Sequence, residues 1–294
     1  MLSINPGDLK TSEIHGYMLS AVAPRPIALA STISKSGEVN LSPYSFFNAF
    51  SAKPPIMVFS SNRSGRTGET KDTYKNIKEV PEVVINIVNY DMVQQASLAS
   101  TEYPKGVNEF IKAGFTPLDS VKVKPPRVAQ SPVQFECVVK DIIELGQEGG
   151  AGNLFICEIV MIHVQDYVLN TENKIDPLKM DQVARCGGDY YTRVNPDSMF
   201  VVPKPIARLG IGIDALPEFI RTSPLLTGNE LAMMGNVEKL PEQAELSALE
   251  SSPDFMRLKD QSAQLDKWEM AKSLLKTGQP TLALTWLMFG DQQI

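Results

Sequence analysis

Two long β-rich runs, residues 134–145 and 154–168, constrain this chain more than any other feature. They are joined by a short stretch that contains Gln147-Glu148-Gly149-Gly150-Ala151-Gly152. A brief link rich in glycine reads as a hairpin tip, so the runs pair antiparallel. The tip has no Walker lysine and no G-x-G-x-x-G spacing, so it is not a phosphate loop. Further strands are expected over 27–33, over 56–60 and over 83–88. An extended run over 39–51 has an irregular middle at Pro43. About six strands with few helices between them argue against a doubly wound α/β sheet, where the two alternate. They favour an antiparallel barrel, whose closure removes exposed edges.

Helices are fewer and shorter in the first two thirds. Residues 9–21 carry an Ile14, Met18, Val22 stripe and stop at Ala23-Pro24-Arg25-Pro26, because proline lacks an amide donor and restrains its predecessor. A polar loop over 61–70 leads to a helix over 72–79 with Asp72 as its expected N-cap. Residues 91–100 and 107–113 also look helical. After about residue 195 the texture changes. Thr227-Gly228-Asn229-Glu230 is a capping box, and Ser252-Pro253 is a helix start signal. The helix that follows carries Phe255, Leu258, Leu265 and Trp268 and stops near Gly278 and Pro280. Residues 282–289 fit helix or strand. The expected division is a barrel domain over 1–199 and a mostly helical C-terminal extension over 200–294.

Composition bounds the function. The chain has 294 residues, 43% of them hydrophobic and 21% charged, with a net charge of −6. No block of lysine or arginine offers a footprint for nucleic acid or an anionic membrane. No apolar run approaches the roughly 20 residues that span a bilayer, and the N-terminus does not read as a signal peptide. Three cysteines, Cys137, Cys157 and Cys186, make neither a C-x-x-C motif nor a disulfide framework, and the cytoplasm fits them best. Cys137 and Cys157 sit in apolar runs as small core residues. Two histidines, His15 and His163, show no zinc spacing and no triad context.

The residues with chemical content lie elsewhere. Asn40-Leu41-Ser42-Pro43-Tyr44-Ser45-Phe46-Phe47-Asn48-Ala49 crowds hydroxyls, an amide and paired aromatics between two apolar runs. That mixture suits a flat polar ring with a phosphate tail and points to a flavin. Alternation puts Ser45 and Phe47 on one side, Phe46 and Asn48 on the other. The same residues also fit a plain barrel strand with two core aromatics. Lys71-Asp72-Thr73, at an expected helix start, offers amides, a cation and a hydroxyl to a phosphate, with Arg63 and Arg66 nearby. These residues also fit a simple surface cap. Arg25, between two prolines, clamps an anion or reaches solvent. Arg185-Cys186-Gly187-Gly188-Asp189-Tyr190-Tyr191 closes a nicotinamide or substrate pocket, or is a turn before the extension.

In order and spacing these motifs resemble the flavin reductase-like, FMN-binding split-barrel family, which includes flavoredoxin. The resemblance spans about residues 20–195. It rests on Ala23-Pro24-Arg25-Pro26-Ile27-Ala28-Leu29 with Ser31-Thr32, on the 40–49 stretch, on Lys71-Asp72-Thr73 with Asn76 and Ile77, and on the 185–191 motif. It implies an antiparallel split β-barrel, bound FMN and a homodimer with the flavin near its interface. Thr32, Ser45, Phe46, Phe47 and Asn48 would line the flavin. Ser60, Ser61, Lys71, Asp72 and Thr73 would hold the ribityl phosphate. Arg25 would join the cofactor site, with Gly188, Tyr190 and Tyr191 on the substrate side. The implied activity is hydride transfer from NADH or NADPH to flavin N5, then electron transfer to a free flavin, a metal complex or a protein. Two rivals stand beside it: an FMN-binding electron carrier without nicotinamide activity, and a flavin protein whose C-terminal extension blocks the pocket and recognises a partner.

Overall fold

The computed structural model describes residues 1–205, 209–250 and 267–289. The chain divides into two compact units, Met1–Phe200 and Val201–Ile294.

In the first unit the strands are β1 (Ala28–Ile33), β2 (Val39–Tyr44), β3 (Phe47–Ala52), β4 (Pro55–Asn62) and β5 (Glu82–Ile87). Then come the two-residue pair β6 (Pro117–Leu118) and β7 (Arg127–Val128), the long β8 (Val133–Glu144) and β9 (Gly152–Val164), and the short β10 (Val183–Arg185) and β11 (Tyr191–Arg193). Seven of them form one sheet in the order β2-β1-β5-β8-β9-β4-β3, antiparallel throughout. Its two edges, β2 and β3, are consecutive in the chain and separated only by Ser45 and Phe46. A sheet whose edges are joined by two residues must curl until they meet. Beyond the Phe47↔Phe59 pair the Ser60 amide donates to the Phe46 carbonyl at 2.9 Å, which carries the β3–β4 ladder up to the break, a seam at Ser45–Phe46. The result is a barrel whose edge strands do not pair with each other, a split barrel.

The expected hairpin is β8 and β9, in register from Val133↔Val164 to Glu144↔Asn153 with two bulges that bend it around the barrel. The extended run over 39–51 differs from its reading. It divides at Ser45–Phe46, not at Pro43. Pro43 lies within β2 opposite Leu29, and an edge strand tolerates a residue with no amide to give.

Both faces of β1 are buried. Ala28 and Ala30 join Met57, Phe59, Ile85, Phe155, Cys137 and Cys157 in one cluster. Ile27 and Leu29 join Leu41, Met92, Phe110 and Val128 in another. The two cysteines are wholly buried, and burial pushes both thiols well above their ordinary range. Phe59 and Phe155 stack with centroids 4.8 Å apart. Each such side chain contributes roughly 1.5–3 kcal/mol on burial.

The helices of this unit are α1 (Thr11–Ala21), α2 (Asp72–Glu79), α3 (Val93–Leu98), α4 (Glu109–Ala113) and α5 (Pro177–Met180). The α1 stripe does not face the core: no α1 residue is buried, and Met18 and Val22 are 49% and 64% exposed. The cap of α2 is Lys71, and Asp72 is the first helical residue. Asp72 makes no cap bond. Its carboxylate takes Lys75 Nζ at 2.9 Å within the first turn, where the helix dipole favours a negative charge.

The second unit contains α6 (Glu218–Arg221), α7 (Gly228–Gly235), α8 (Gln243–Glu250), α9 (Lys267–Lys276) and α10 (Pro280–Phe289). Thr227 and Glu230 form the expected capping box. Residues 282–289 are helical, with Ala283, Leu284, Trp286 and Leu287 all buried. Apolar residues around the whole helix explain why periodicity left this segment open. The helix start expected at Ser252-Pro253, with Phe255, Leu258 and Leu265, lies outside the described residues. The unit's cluster centres on Ile220, Met234, Leu275, Leu284 and Leu287.

Candidate functional site

A cleft of about 330 Å³ opens at the start of α2. The 61–70 loop lines it with Ser64, Arg66, Thr67 and Thr70, α2 with Lys71, Asp72 and Thr73, and β2 with Asn40, Ser42 and Tyr44. The β2 residues share a face because side chains alternate along a strand. The intervening Leu41 is buried in the cluster that holds Ile27, Leu29 and Met92.

Thr73 is the centre of the cleft's polar wall. It is wholly buried, and its hydroxyl oxygen accepts from Asn40 Nδ2 and from the Tyr44 hydroxyl, each at 2.8 Å. Burial raises the Tyr44 phenol above its ordinary pKa, so its hydroxyl keeps its proton at neutral pH. With both lone pairs of Thr73 engaged, its one remaining capacity is to donate its own proton. Lys71 Nζ and Arg66 Nη2 meet on the Glu102 carboxylate at 2.6 and 2.5 Å. Arg63 turns elsewhere, donating to Gln147 Oε1 at 2.7 Å and to the Gly68 carbonyl at 3.3 Å.

A second, smaller cleft of about 70 Å³ lies beside the seam, lined in part by Ser45, Arg185 and Tyr191. The 185–191 segment is the turn of the β10–β11 hairpin. Gly188 sits at φ +58, its carbonyl accepts from Arg185 Nη2 at 2.8 Å, and the Arg185 guanidinium lies 5.1 Å from the Tyr191 ring centroid. Tyr190 is exposed.

The other sequence-derived residues are dispersed. Thr32 is wholly buried and accepts from Asn76 Nδ2 at 3.2 Å, which ties β1 to α2. Ser60 and Ser61 are neighbours on β4 and therefore face opposite sides. The Ser61 hydroxyl is buried with no hydrogen-bond partner. Phe46 meets His15 edge-on with centroids 6.3 Å apart. Phe47 pairs in register with Phe59 and packs against the core, as the plain strand reading has it. Asn48 is exposed, with its side chain accepting from the Ala49 amide. The break at Ser45–Phe46 interrupts the alternation expected across these four residues. Thr32, Phe46, Phe47, Asn48, Ser60 and Ser61 line neither of these two clefts.

Arg25 does not reach solvent. It is 5% exposed and donates to the carbonyls of Leu19, Val22 and Cys186, with Nε 3.4 Å from Ser45 Oγ. It fastens the end of α1 and the 185–191 turn to the seam.

A family model described as flavin reductase like domain matches residues 19–181. The chain belongs to that family. An uncharacterized protein of Aquifex aeolicus is 36% identical over 181 residues, which cover 61% of this chain and 89% of the relative. Nitrilotriacetate monooxygenase component B from Bacillus cereus is 29% identical, with a TM-score of 0.64 over 69% of this chain and 98% of that one. A Shewanella frigidimarina NCIMB 400 protein assigned as a flavin reductase with a split barrel domain is 26% identical. Its TM-score is 0.59, over 69% of this chain and all of that one.

Flavin binding is the family's implication, and the donor set of the larger cleft fits a flavin's phosphate. The cleft combines the hydroxyls of Ser64, Thr67 and Thr70, the cations of Lys71 and Arg66, and a Thr73 left with a proton to give. The Asp72 and Thr73 amides, at the first two positions of α2, have no acceptor within the helix, whereas that of Tyr74 donates to the Lys71 carbonyl at 3.0 Å. Sequence reasoning missed Asn40 and Tyr44 as Thr73's partners, although their alternation with Leu41 and Pro43 was visible. It also missed Glu102, for which the sequence carries no local signal.

Proposed function

We propose that the chain is an FMN-dependent NAD(P)H oxidoreductase. Bound FMN would supply a hydride acceptor at N5 for NADH or NADPH and pass electrons on to a free flavin, a metal complex or a protein. The observation that carries this reading is the meeting of Lys71, Arg66 and the donor-only Thr73 in one cleft at the start of α2, within a chain of the flavin reductase-like family.

In this reading Lys71, Asp72 and Thr73 hold the phosphate end. Lys71 supplies charge, Thr73 a proton at Oγ1, and the Asp72 backbone an amide. Asn40 and Tyr44 orient the Thr73 hydroxyl. Thr32, Ser45, Phe46, Phe47 and Asn48 serve the ring, and Ser60 and Ser61 the ribityl phosphate, where the unpartnered Ser61 hydroxyl supports a role for β4. Gly188, Tyr190 and Tyr191 face the substrate. Arg25 holds the seam on which Ser45 and Phe46 sit. No side chain is required as a nucleophile.

The reading includes a homodimer. Support comes from the exposed apolar residues Tyr17 and Met18 on α1, Val22 at its C-cap and Phe50 on the edge strand β3, since apolar surface of this kind is commonly covered by a partner. It takes residues 1–199 as the flavin unit, 200–294 as its extension and the cytoplasm as its compartment, where three free thiols suit a reducing environment.

The test is a visible spectrum followed anaerobically under NADH and then NADPH. Purified or FMN-reconstituted protein is expected to be yellow and to bleach with at least one nicotinamide. A colourless protein that cannot be reconstituted overturns the reading. A yellow protein that stays oxidised with both overturns the nicotinamide activity in favour of an electron carrier.

A further inference from the structure

The larger cleft is not a bare basic pocket. Arg66, Lys71, Lys75 and Lys105 line it together with Glu69, Asp72, Glu102 and Glu109. Whether such a cleft takes an anion depends on which of these charges are already satisfied. Asp72 is held by Lys75, and the Glu109 carboxylate accepts the Leu41 amide at 3.0 Å. Glu102 is different. It lies on the connection between α3 and α4, and its two oxygens are divided between the two cations suited to a phosphate: Oε1 on Lys71 at 2.6 Å, Oε2 on Arg66 at 2.5 Å. Hydrogen bonds and charge from Lys71, then from Arg66, hold its carboxyl below the usual range, so it stays ionised at neutral pH.

A carboxylate that bridges two cations presents them with the oxygen pair that one edge of a phosphate would present. Two anions cannot both have the same donors. We propose that Glu102 is an internal counter-ion of this site, and that a phosphate monoester binds by displacing its carboxylate from Lys71 and Arg66. The inference rests on the phosphate reading of the cleft. Glu102 thereby sets how tightly the site holds a phosphate without touching the flavin ring. Both ion pairs are solvent-exposed, so each is weak. Their combined loss is a factor of about 2 to 30 in affinity.

The experiment uses the full chain stripped of flavin and its Glu102→Gln and Glu102→Asp variants. Each is titrated with FMN and with riboflavin, which has the same ring and ribityl chain but no phosphate. Glu102→Gln is expected to bind FMN about 2- to 30-fold more tightly, with riboflavin unchanged. Glu102→Asp keeps the charge and is expected to stay near wild type. Inorganic phosphate should compete with FMN at a lower concentration in Glu102→Gln. Unchanged or weaker FMN binding by Glu102→Gln overturns the inference, as does an equal shift for both flavins. Binding of neither flavin by any of the three proteins overturns the flavin reading itself. That result is distinct from unchanged FMN affinity, which leaves the flavin reading standing.

Discussion

Two buried polar residues in the first unit carry consequences well beyond their size. The Thr73 hydroxyl is the common acceptor of Asn40 and Tyr44. Thr73→Val keeps the shape and removes the oxygen, so two donors lose their acceptor at once. An unsatisfied donor costs about 1–3 kcal/mol when fully buried; Asn40 and Tyr44 are half-buried, so urea unfolding should show a loss of about 1–2 kcal/mol, and Tyr44→Phe a smaller one. A Thr73→Val loss no larger than that of Tyr44→Phe would remove Thr73 from its central place. Glu136 on β8 is wholly buried. Its carboxylate accepts from the amides of Val121 at 2.8 Å and Val123 at 3.2 Å, and contacts His163 Nε2 at 2.6 Å. Burial opposes its charge, but the Val121 amide, His163 and the Lys122 amide, which also donates to this carboxylate, outweigh burial and hold the carboxyl below its ordinary pKa. A depressed folded-state pKa means that the stabilisation is present above the unfolded value, about 4.3. It is lost as pH falls through the folded one. Glu136→Gln should therefore cost about 3 kcal/mol at pH 7, with the gap to wild type shrinking progressively on acidification below about pH 4. Urea midpoints across that range would contradict this if the gap stayed constant. The two residues differ in how readable they were. Asn40, Ser42 and Tyr44 announce a polar strand face by alternation, and Thr73 sits in a motif. Glu136 and Glu102 acquire their partners only through folding, at positions where no periodicity points to them.

Single elements show why some boundaries were legible and others were not. The β8–β9 hairpin was plain because its tip is rich in glycine, and the structure gives that glycine a reason. A Cβ on Gly149 would lie 3.0 Å from the Ser64 carbonyl oxygen and 3.3 Å from Gly65 Cα. The tip is thus pressed against the 61–70 loop, and Gly150 N–H and Arg63 N–H donate across to Arg63 and Ala151 carbonyls. Backbone cannot swing aside as a side chain can. Gly149→Val should push the loop outward, cost about 1–3 kcal/mol as overpacking does, and speed amide exchange at Ser64 and Gly68. Unaltered exchange in that loop would mean the contact is easily relieved. The split of 39–51 into two strands was not legible. Extended propensity runs through the whole segment, and what divides it is that its halves lie on opposite edges of one sheet. The cap of α2 was misjudged by one residue for a similar reason. Asp72 is a good capping residue by type, but its carboxylate is taken by Lys75 in the first turn, leaving Lys71 at the boundary.

At the scale of the whole molecule, each unit keeps its own apolar clusters. Those of the first unit draw on residues from Ile27 to Val183, and that of the second on residues from Leu216 to Leu287. The helical character of the second unit was readable because capping boxes and apolar stripes are local signals. The barrel was readable only as a class, since its strand order depends on pairings between distant segments such as β1 with β5. A unit of about 200 residues buries roughly 70% of its unfolded surface, enough to fold alone if its core is self-contained. A fragment spanning residues 1–200 is therefore expected to unfold in urea as one cooperative transition. On the flavin reading it is also expected to take up FMN, because both clefts are lined entirely by residues of the first unit. Comparing nicotinamide oxidation by fragment and full chain then assigns a role to residues 201–294. Faster oxidation by the fragment identifies them as a restraint on access to the flavin. Unchanged rates eliminate that role. A fragment that aggregates or unfolds gradually would show that the first unit's clusters are insufficient without the second.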